Sequence, residues 1–201
     1  MFIMDKPFSE ACERNKDPIL QVLQKVILPT DERLLEVGAG NGQHAEYLSP
    51  KFPRLEWYPT DKNLIHLKDI SGRMIQKAQR LDVAKDDFPK LRFDLVFTAN
   101  TFHIMSWKDC KSFIKLLGHR LREGSRAVFY GPFKYNGAFT SESNQEFDAM
   151  LKTRDPQSGI RAFEDVNTNM MKQGFELVED YEMPANNRCL VYVRLKFEAK
   201  R

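Results

Sequence analysis

The chain has 201 residues, a formal net charge of +3 and a sequence pI near 8.7, which suits one mildly basic domain with a sizeable core. It contains no long run of Lys and Arg, so its charge gives no support for a nucleic-acid partner. Its three cysteines are widely spaced, without paired Cys or Cys/His spacing, which argues against disulfides and zinc and favours a reducing compartment, taken here as the cytoplasm.

Residues 1–30 are predicted to form an N-terminal helical segment. Its charged sequence is unlike a signal peptide, and no apolar run in the chain approaches the length of a membrane span. Apolar residues between positions 7 and 28 recur with a helical rhythm that Asp17 and Pro18 interrupt, so we expect a short segment and then a helix that ends at Pro29. A polar cluster ahead of this helix is either a solvated face or a lid over a ligand, and it contains Ser9, Glu10, Arg14 and Asn15.

The first predicted strand, residues 33–37, leads into three glycines at alternate positions, Gly38, Gly40 and Gly42. An apolar strand that passes through such a loop into a helix is typical of the ligand-binding end of a parallel sheet. Glycine leaves room for a ligand against the main chain, and Asn41 can cap the following helix, whose free N–H groups would face the loop. The alternative is a tight strand-to-helix turn without a ligand.

Glu36 favours a ligand at this loop. It lies near the carboxyl end of a strand that should be buried on both faces, and a buried acid without a partner is costly. A cationic or hydroxyl-bearing part of a ligand would be its natural partner.

Two further acidic residues follow predicted strands. Strand two, residues 55–60, delivers Asp61 about 20 residues beyond the glycine loop, where an acid typically holds a pair of ribose hydroxyls. The alternative for Asp61 is a surface turn. A short third strand near residues 80–83 presents Asp82, after a predicted helix that carries Leu64, Leu67, Ile70 and Met74.

Strand four, residues 93–98, is nearly continuous in apolar residues, as a strand covered on both faces should be. Its outlet presents Asn100 and His103. The next helix is well marked, because Ser106 can cap its start and Gly124 can close it.

Strand five, residues 127–130, leads into a polar, glycine-rich loop over residues 131–145, and a loop of this length usually has a task. The connection at 184–187 is so short that the last two strands should form an antiparallel hairpin. The helices and strands predicted after strand five cover residues 143–152, 163–173, 175–183 and 188–197.

Five alternating β/α units and a terminal hairpin predict one α/β domain over residues 1–201. The expected architecture is a Rossmann-like, seven-stranded mixed sheet with helices on both faces and a C-terminal antiparallel hairpin. An NAD-binding domain is disfavoured, because its sheet is usually parallel throughout and its loop reads GxGxxG, whereas this chain has Gln43 in place of a helix-packing glycine.

These residues resemble the class I S-adenosylmethionine-dependent methyltransferases, whose first motif is an acid, one residue and then GxGxG, as in Glu36 to Gly42. Further blocks are similar to the methyltransferase-like 26 family, formerly catalogued as a domain of unknown function. They span Lys6 to Arg188 and read KPFSEACERN, LEVGAGNGQHAEYL, WYPTD, FTANTFHIMSW, YGPFKYNGAFTSESN, GIRAFEDVN and MPANNR. The glycine motif is shared with many enzymes, whereas the later blocks are specific.

The resemblance implies that the chain binds S-adenosyl-L-methionine through the matching residues. The glycine loop, including Gly38 and Gly40, would carry the methionine portion of the cofactor, and Glu36 would support that end. Asp61 would take both ribose hydroxyls.

The resemblance also implies contacts to the rest of the cofactor. Asp82 and Val83 resemble the pair that recognises adenine, through its amino group and a ring nitrogen. Asn100 would face the amino acid and the sulfonium. Because Asn100 is not followed by Pro-Pro-Tyr or Pro-Pro-Phe, methylation of base amines and of glutamine amides is in doubt.

Methyl transfer from a sulfonium is an in-line displacement, so the protein mainly aligns the acceptor and excludes water. A general base is needed only if the acceptor must lose a proton; His103 is then the best-placed candidate, with a structural histidine as the alternative. Tyr130 is a second candidate catalytic residue, since it leaves strand five at the end where such folds hold substrates. With Phe133, Tyr135 and Asn136 it would line a pocket for a small-molecule acceptor, unless the loop packs on its own aromatic side chains.

The sequence leaves the acceptor and the oligomeric state open. No metal cluster marks a catechol-type site and no basic track marks an RNA site. Asn186, Asn187 and Arg188 are either an ordinary turn or acceptor contacts, while Trp57 and Trp107 are expected to pack, with Trp107 close enough to cover the adenine. An NAD-dependent oxidoreductase and a non-catalytic cofactor-binding protein are the alternative functions.

Overall fold

The computed structural model of the chain describes residues 8–63, 65, 67 and 70–196. Within these ranges, no helix combines the length and apolar character that crossing a membrane requires. The helices are α1 Glu10–Val26, α2 Gln43–Leu48, α3 Trp107–Arg120, α4 Glu142–Arg154 and α5 Phe163–Lys172, with a 3-10 turn at Ser49–Lys51. The strands are β1 Arg33–Val37, β2 Glu56–Asp61, β3 Gln79–Arg80, β4 Leu95–Ala99, β5 Arg126–Gly131, β6 Phe133–Lys134, β7 Arg161–Ala162, β8 Phe175–Met183 and β9 Asn187–Arg194.

Seven strands form one sheet in the order β3-β2-β1-β4-β5-β9-β8. The first five strands in this order are parallel, whereas β9 runs antiparallel to both β5 and β8. The predicted Rossmann-like mixed sheet with a C-terminal antiparallel hairpin is confirmed. Because the strand order reverses between β1 and β4, their carboxyl ends form the crevice in which open α/β sheets bind ligands.

Helices cover both faces of the sheet. On one face, Leu35, Val96 and Phe129 belong to a buried layer that includes the apolar side of α3 and α5. On the other face, Leu34 and Phe97 belong to a second buried layer with α1 and α2. Both faces of the central strands are therefore buried away from water, which explains why their sequences are nearly continuous apolar runs.

The predicted interruption at Pro18 is wrong, because α1 runs unbroken with Pro18 inside it. A proline within a helix costs about 3 kcal/mol, since it removes a hydrogen bond and crowds the preceding turn. The side chains of Ile19, Leu23 and Val26 are buried against the sheet, and each fully buried aliphatic side chain contributes about 1.5–3 kcal/mol. Tertiary packing thus outweighs the local cost.

The helix predicted through Ile70 and Met74 is wrong where the structure describes it, and Leu64 lies outside the described residues. The backbone N–H of Trp57 donates to the Met74 carbonyl at 2.9 Å, and its carbonyl accepts from the Gln76 N–H at 2.8 Å. This segment therefore runs beside β2 as an extended chain, whose hydrogen bonds are made to a neighbouring strand and not along a helix.

Two short strands lie outside the main sheet. β6 and β7 pair in parallel and join the loop after β5 to the start of α5. The β8–β9 turn places Ala185 and Asn186 at φ values of +57° and +55°. Two consecutive left-handed residues are what a two-residue hairpin requires, because that turn matches the twist of the flanking strands.

Candidate active site

A cavity of about 1000 Å³ lies at the carboxyl ends of β1, β4 and β5. The glycine loop, the β4 outlet and the residues after β5 form part of its wall. The first residues of α1, one side of α4 and the β8–β9 turn complete the wall. This volume is at the upper end of the range for ligand pockets, so the cavity has room for a cofactor and a small substrate together.

The three glycines of the loop all adopt left-handed backbone angles. A Cβ at Gly38 would lie 2.6 Å from Thr101 Oγ1, and one at Gly42 would lie 2.6 Å from the Ile70 side chain. A Cβ at Gly40 would meet no atom within 4 Å. Two of the glycines are therefore required for packing, while Gly40 keeps the main chain open beside the cavity.

Glu36 lies behind the glycine loop and does not reach the described wall of the cavity. Its carboxylate accepts a hydrogen bond from Trp57 Nε1 at 2.6 Å. Burial raises the pKa of Glu36 to about 7, and the charge of Asp61 acts in the same direction. The protein itself therefore supplies a partner for the buried acid that the sequence assigns to a ligand.

Asp61 ends β2 directly beneath the glycine loop. Its Oδ2 accepts a hydrogen bond from the Gly40 N–H at 3.0 Å, and its Oδ1 accepts one from the Asn63 N–H at 2.8 Å. The carboxylate thus fixes the backbone of the open glycine. Asp61 itself is not part of the described wall.

Asp82 and Val83 lie in the turn after β3, because this strand is shorter than predicted and ends at Arg80. The buried Asp82 accepts a hydrogen bond from the Ala84 N–H at 3.1 Å through Oδ1. Its Oδ2 has no hydrogen-bond partner in the described part of the chain, and the nearest cation, Lys62 Nζ, is 3.4 Å away. Asp82 and Val83 lie outside the described cavity wall.

Asn100 and His103 bring the β4 outlet into the cavity. Asn100 adopts φ +56°, which asparagine tolerates better than most residues, and its N–H donates to the Tyr130 carbonyl at 2.8 Å. The buried His103 ring packs edge-on against Phe147 at 5.2 Å between centroids. Burial, helped by the charge of Arg161, lowers the pKa of His103 to about 4, so the imidazole is neutral near pH 7.

Tyr130 lies on the adjacent strand β5, lines the same wall and is buried. Burial raises the pKa of Tyr130 to about 12, although the nearby amide side chains of Asn15 and Asn187 act in the opposite direction. The hydroxyl therefore keeps its proton near neutral pH. It can donate or accept a hydrogen bond, but it cannot serve as a general base.

The segment that carries His103 is held by four successive carbonyl contacts, a feature that the sequence does not reveal. Arg161 donates from Nε to the Phe102 carbonyl at 3.1 Å and from Nη2 to the Met105 carbonyl. Gly159 N–H donates to the His103 carbonyl at 2.8 Å, and the Ser158 hydroxyl donates to the Ile104 carbonyl at 3.1 Å. We call residues 158–161 the carbonyl clamp.

The start of α1 is tied to the helix that follows the glycine loop. Gln43 Nε2 donates to the Ser9 carbonyl at 3.3 Å, and Gln43 Oε1 accepts from the Ser9 N–H. His44 Nε2 lies 2.7 Å from Asn15 Oδ1, and His44 Nδ1 lies 3.7 Å from Cys12 Sγ. The residue at position 43 that departs from the NAD pattern thus holds the N-terminal helix over the cavity.

The expected cap of α2 differs in detail. Gly42 is the N-cap and has no side chain to cap with, while Asn41 Oδ1 accepts from the Gln43 N–H at 3.2 Å. α2 has only six residues before its 3-10 turn, so it offers no long helix dipole to the loop.

Several residues assigned to the acceptor pocket pack elsewhere. Phe133 is in the core, and Tyr135 stacks on Phe163 at 4.9 Å and donates to Asp180 at 2.8 Å. Asn136 is exposed on the surface. Of the four loop residues, only Tyr130 contributes to the described wall.

The residues predicted at the hairpin turn also have different positions. Asn187 lines the cavity, while Arg188 forms ion pairs with Asp180 at 2.8 Å and Glu182 at 3.0 Å.

Helix α4 contributes Asn144 and Phe147 to the cavity wall. Hydrophobic periodicity does not predict this contribution, because the buried face of α4 contains polar residues. Among the described residues, no group of three His, Cys, Asp or Glu side chains could hold a metal ion.

A family model described as "Protein of unknown function (DUF938)" matches residues 6–194. The chain belongs to this family. The matched residues include every strand and helix that the structure describes, and also the glycine loop, the carbonyl clamp and the hairpin turn.

Solved structures of methyltransferases have a similar fold. Human N-acetylserotonin methyltransferase in complex with SAM has a TM-score of 0.77 at 16% identity, over 93% of this chain and 53% of that one. PigF with SAH has a TM-score of 0.75 at 12% identity, over 88% and 55% of the two chains. An O-methyltransferase family 2 protein from Planctomyces limnophilus in complex with apigenin has a TM-score of 0.73 at 14% identity, over 90% and 62%.

At these identities, the likeness shows the fold, which is that of S-adenosylmethionine-dependent methyltransferases. The chain spans between half and two thirds of the length of the three solved proteins.

Proposed function

We propose that the protein is an S-adenosylmethionine-dependent methyltransferase that acts on a small-molecule acceptor, related to the methyltransferase-like 26 family. The observation that carries this proposal is the contact between the Asp61 carboxylate and the Gly40 N–H beside an open cavity. This contact joins the acid at the end of β2 to Gly40, the glycine of the loop beside which a ligand has space. The fold of the solved methyltransferases supports the same conclusion.

The residues around the loop fit the parts of S-adenosyl-L-methionine. The open backbone at Gly40 and the neighbouring Asn100 suit its amino-acid portion, while Asp61 suits its ribose hydroxyls. Asp82, the buried acid after β3, suits the amino group of adenine, with Val83 beside it, although its Oδ2 also faces Lys62 Nζ at 3.4 Å and Arg80 Nη2 at 3.9 Å. When bound, the cofactor supplies a methyl group on a sulfonium, an electrophile that needs no metal activation.

Two further side chains of the cavity wall, next to Asn100, suit the acceptor. The neutral His103 ring can accept a hydrogen bond from it, and the protonated Tyr130 hydroxyl can donate one. The start of α1, held by Gln43, forms one wall of the cavity. These groups orient the acceptor behind the methyl group, which is the main contribution that a protein makes to an in-line displacement.

We expect calorimetric titration to show saturable binding of S-adenosylhomocysteine to the full chain and none of NAD. Asp61→Ala should weaken this binding by at least about tenfold, or about 1.4 kcal/mol, because both the ribose partner and the loop support are lost. The affinity of Asp61→Asn for S-adenosylhomocysteine should lie between those of the unaltered protein and Asp61→Ala, since its amide oxygen can still accept from the Gly40 N–H.

Asp87→Ala is the matched control, because Asp87 is an exposed acid that pairs with Arg120 away from the cavity. It should bind S-adenosylhomocysteine like the unaltered protein. Absence of binding, or a preference for NAD, would contradict the proposed function.

A further inference from the structure

The described wall of the cavity contains no Asp or Glu side chain. Its polar surface consists mainly of side-chain amides, and its one charged group among the described residues is Arg14, at the exposed rim. The cofactor brings a sulfonium charge into the cavity and pairs its own ammonium group with its own carboxylate, so a cationic acceptor would add a positive charge for which the described wall holds no carboxylate, which is costly. The wall therefore suits a neutral or anionic acceptor better than a cationic one.

The described wall also lacks a group that could remove a proton from a weakly acidic alcohol. Its titratable side chains are Cys12, His44, His103 and Tyr130, besides Arg14. Both ring nitrogens of His44 are occupied by Asn15 and Cys12. Burial raises the pKa of Cys12, and it lowers the pKa of His103 to about 4, too low for an efficient base near neutral pH.

The remaining features of the wall fit an aromatic anion. The Tyr130 hydroxyl can donate a hydrogen bond to the acceptor oxygen, whereas the Asn187 amide already donates to the carbonyls of Pro184 and Ala185. Phe147 and Pro132 offer apolar surfaces to a flat ring. The charge of Arg161, behind His103, adds a positive field without a matching carboxylate in the described wall.

We propose that the acceptor is an aromatic hydroxyl compound acidic enough to ionise near neutral pH, which reacts as its phenolate. This rests on the proposed methyl transfer. The hydroxyl proton is lost to water before the reaction. The phenolate oxygen then forms a bond to the methyl carbon while the carbon–sulfur bond breaks and its electron pair stays on sulfur, so the products are an aryl methyl ether and S-adenosylhomocysteine. No protein base and no other reactant are needed.

The test uses the full chain with S-adenosylmethionine and the probes 4-nitrophenol, 4-cyanophenol, unsubstituted phenol and benzylamine. Methyl products are measured by mass spectrometry as a function of pH. We expect kcat/KM for the two acidic phenols to rise with pH to a plateau, with an inflection at the pKa of each phenol. Unsubstituted phenol ionises near the pKa of tyrosine, about 10, and should react at least about tenfold more slowly at pH 7.

His103→Gln separates this mechanism from general-base catalysis. In this variant the rate falls because a contact is lost, but the inflection should still follow the phenol. An inflection that is the same for both phenols and disappears in His103→Gln would overturn the proposal, as would methylation of benzylamine in preference to the phenols.

Calorimetry on the same preparations distinguishes a wrong acceptor class from a wrong cofactor assignment. If S-adenosylhomocysteine binds but none of the phenols is methylated, the acceptor class is wrong and the cofactor assignment stands. If S-adenosylhomocysteine does not bind, the proposed function itself fails.

Discussion

Gly38 and Gly40 differ in what a methyl group would meet at each position, although both have positive φ. Gly40→Ala should cost about 1 kcal/mol of unfolding free energy, the price of a left-handed alanine. Its Cβ would enter open space beside the cavity, so the affinity for S-adenosylhomocysteine should fall by at least about tenfold, or about 1.4 kcal/mol. Urea denaturation and calorimetry measure the two effects separately.

Gly38→Ala serves as the comparison, because its Cβ would lie 2.6 Å from Thr101 Oγ1. It should lose more stability than Gly40→Ala. If Gly40→Ala bound S-adenosylhomocysteine with full affinity, the loop would not be in contact with the ligand.

Glu36 shows which part of a site the sequence can predict. Its burial follows from its place in an apolar strand, and the burial is confirmed by an exposed fraction of 1%. Its hydrogen bond to Trp57 depends on the register of β1 against β2. That register places Leu34 opposite Trp57, so Glu36, two residues further along β1, lies on the same face and diagonal to Trp57. Order along the chain does not fix this register, so the sequence could predict a buried acid but not its partner.

The carbonyl clamp gives a prediction about a connecting element. Arg161→Lys keeps the charge but loses the planar fork that reaches the Phe102 and Met105 carbonyls. We expect the unfolding free energy to fall by about 3 kcal/mol, since Arg161 makes three charged hydrogen bonds, the third to the Gln157 carbonyl at 2.7 Å, and one ammonium group cannot replace them all. Methyl transfer should fall much more than affinity for S-adenosylhomocysteine, because the clamp positions His103 and not the glycine loop.

Arg120→Lys is the matched control, because Arg120 also bonds a backbone carbonyl, that of Pro89, far from the cavity wall. It should lose some stability and keep its ratio of turnover to affinity. If Arg161→Lys and Arg120→Lys had the same effect on turnover, the clamp would have no positioning role.

The strands and helices that the sequence predicts well are those with a strong local pattern. β1, β5 and β8 are apolar or alternating runs bounded by turn residues, and α3 has a capped start at Ser106. The two-residue strands β6 and β7 have no such pattern, because each exists only through its pairing with the other. The extended segment beside β2 depends in the same way on a neighbour.

The sheet separates a binding end from a structural end, and this gives a prediction for the protein as a unit. Asp31 and Arg126 form a buried ion pair near the amino ends of β1 and β5. Asp31→Ala would leave the Arg126 charge buried and unpaired, and should cost about 3–5 kcal/mol of unfolding free energy. The affinity for S-adenosylhomocysteine at a temperature where the variant is folded should stay within about twofold, because the sites are far apart.

Chemical denaturation and calorimetry test this separation. Asp87→Ala again serves as a surface control with little effect on either quantity. A large loss of affinity in folded Asp31→Ala would mean that the two ends of the sheet are coupled.

The topology was predictable because alternating strands and helices allow few arrangements. The cavity was predictable only in part. Its glycine loop and β4 outlet follow from the order of the strands. The segments near residues 15 and 187 could be offered only as one of two alternatives each, and the residues near 144 were not singled out. Only folding brings these segments together, and none has a motif whose chemistry is evident alone.

The contact between Trp57 and Glu36 gives the protein a built-in optical reporter. Trp57 is one of two tryptophans, and its buried indole N–H donates to a carboxyl group next to the candidate cofactor loop. The pKa of this carboxyl is about 7, so its ionisation responds to small changes in nearby charge. Arrival of the ammonium and carboxylate groups of the cofactor at the loop should therefore change the fluorescence of Trp57, and ligand binding could be followed without any label.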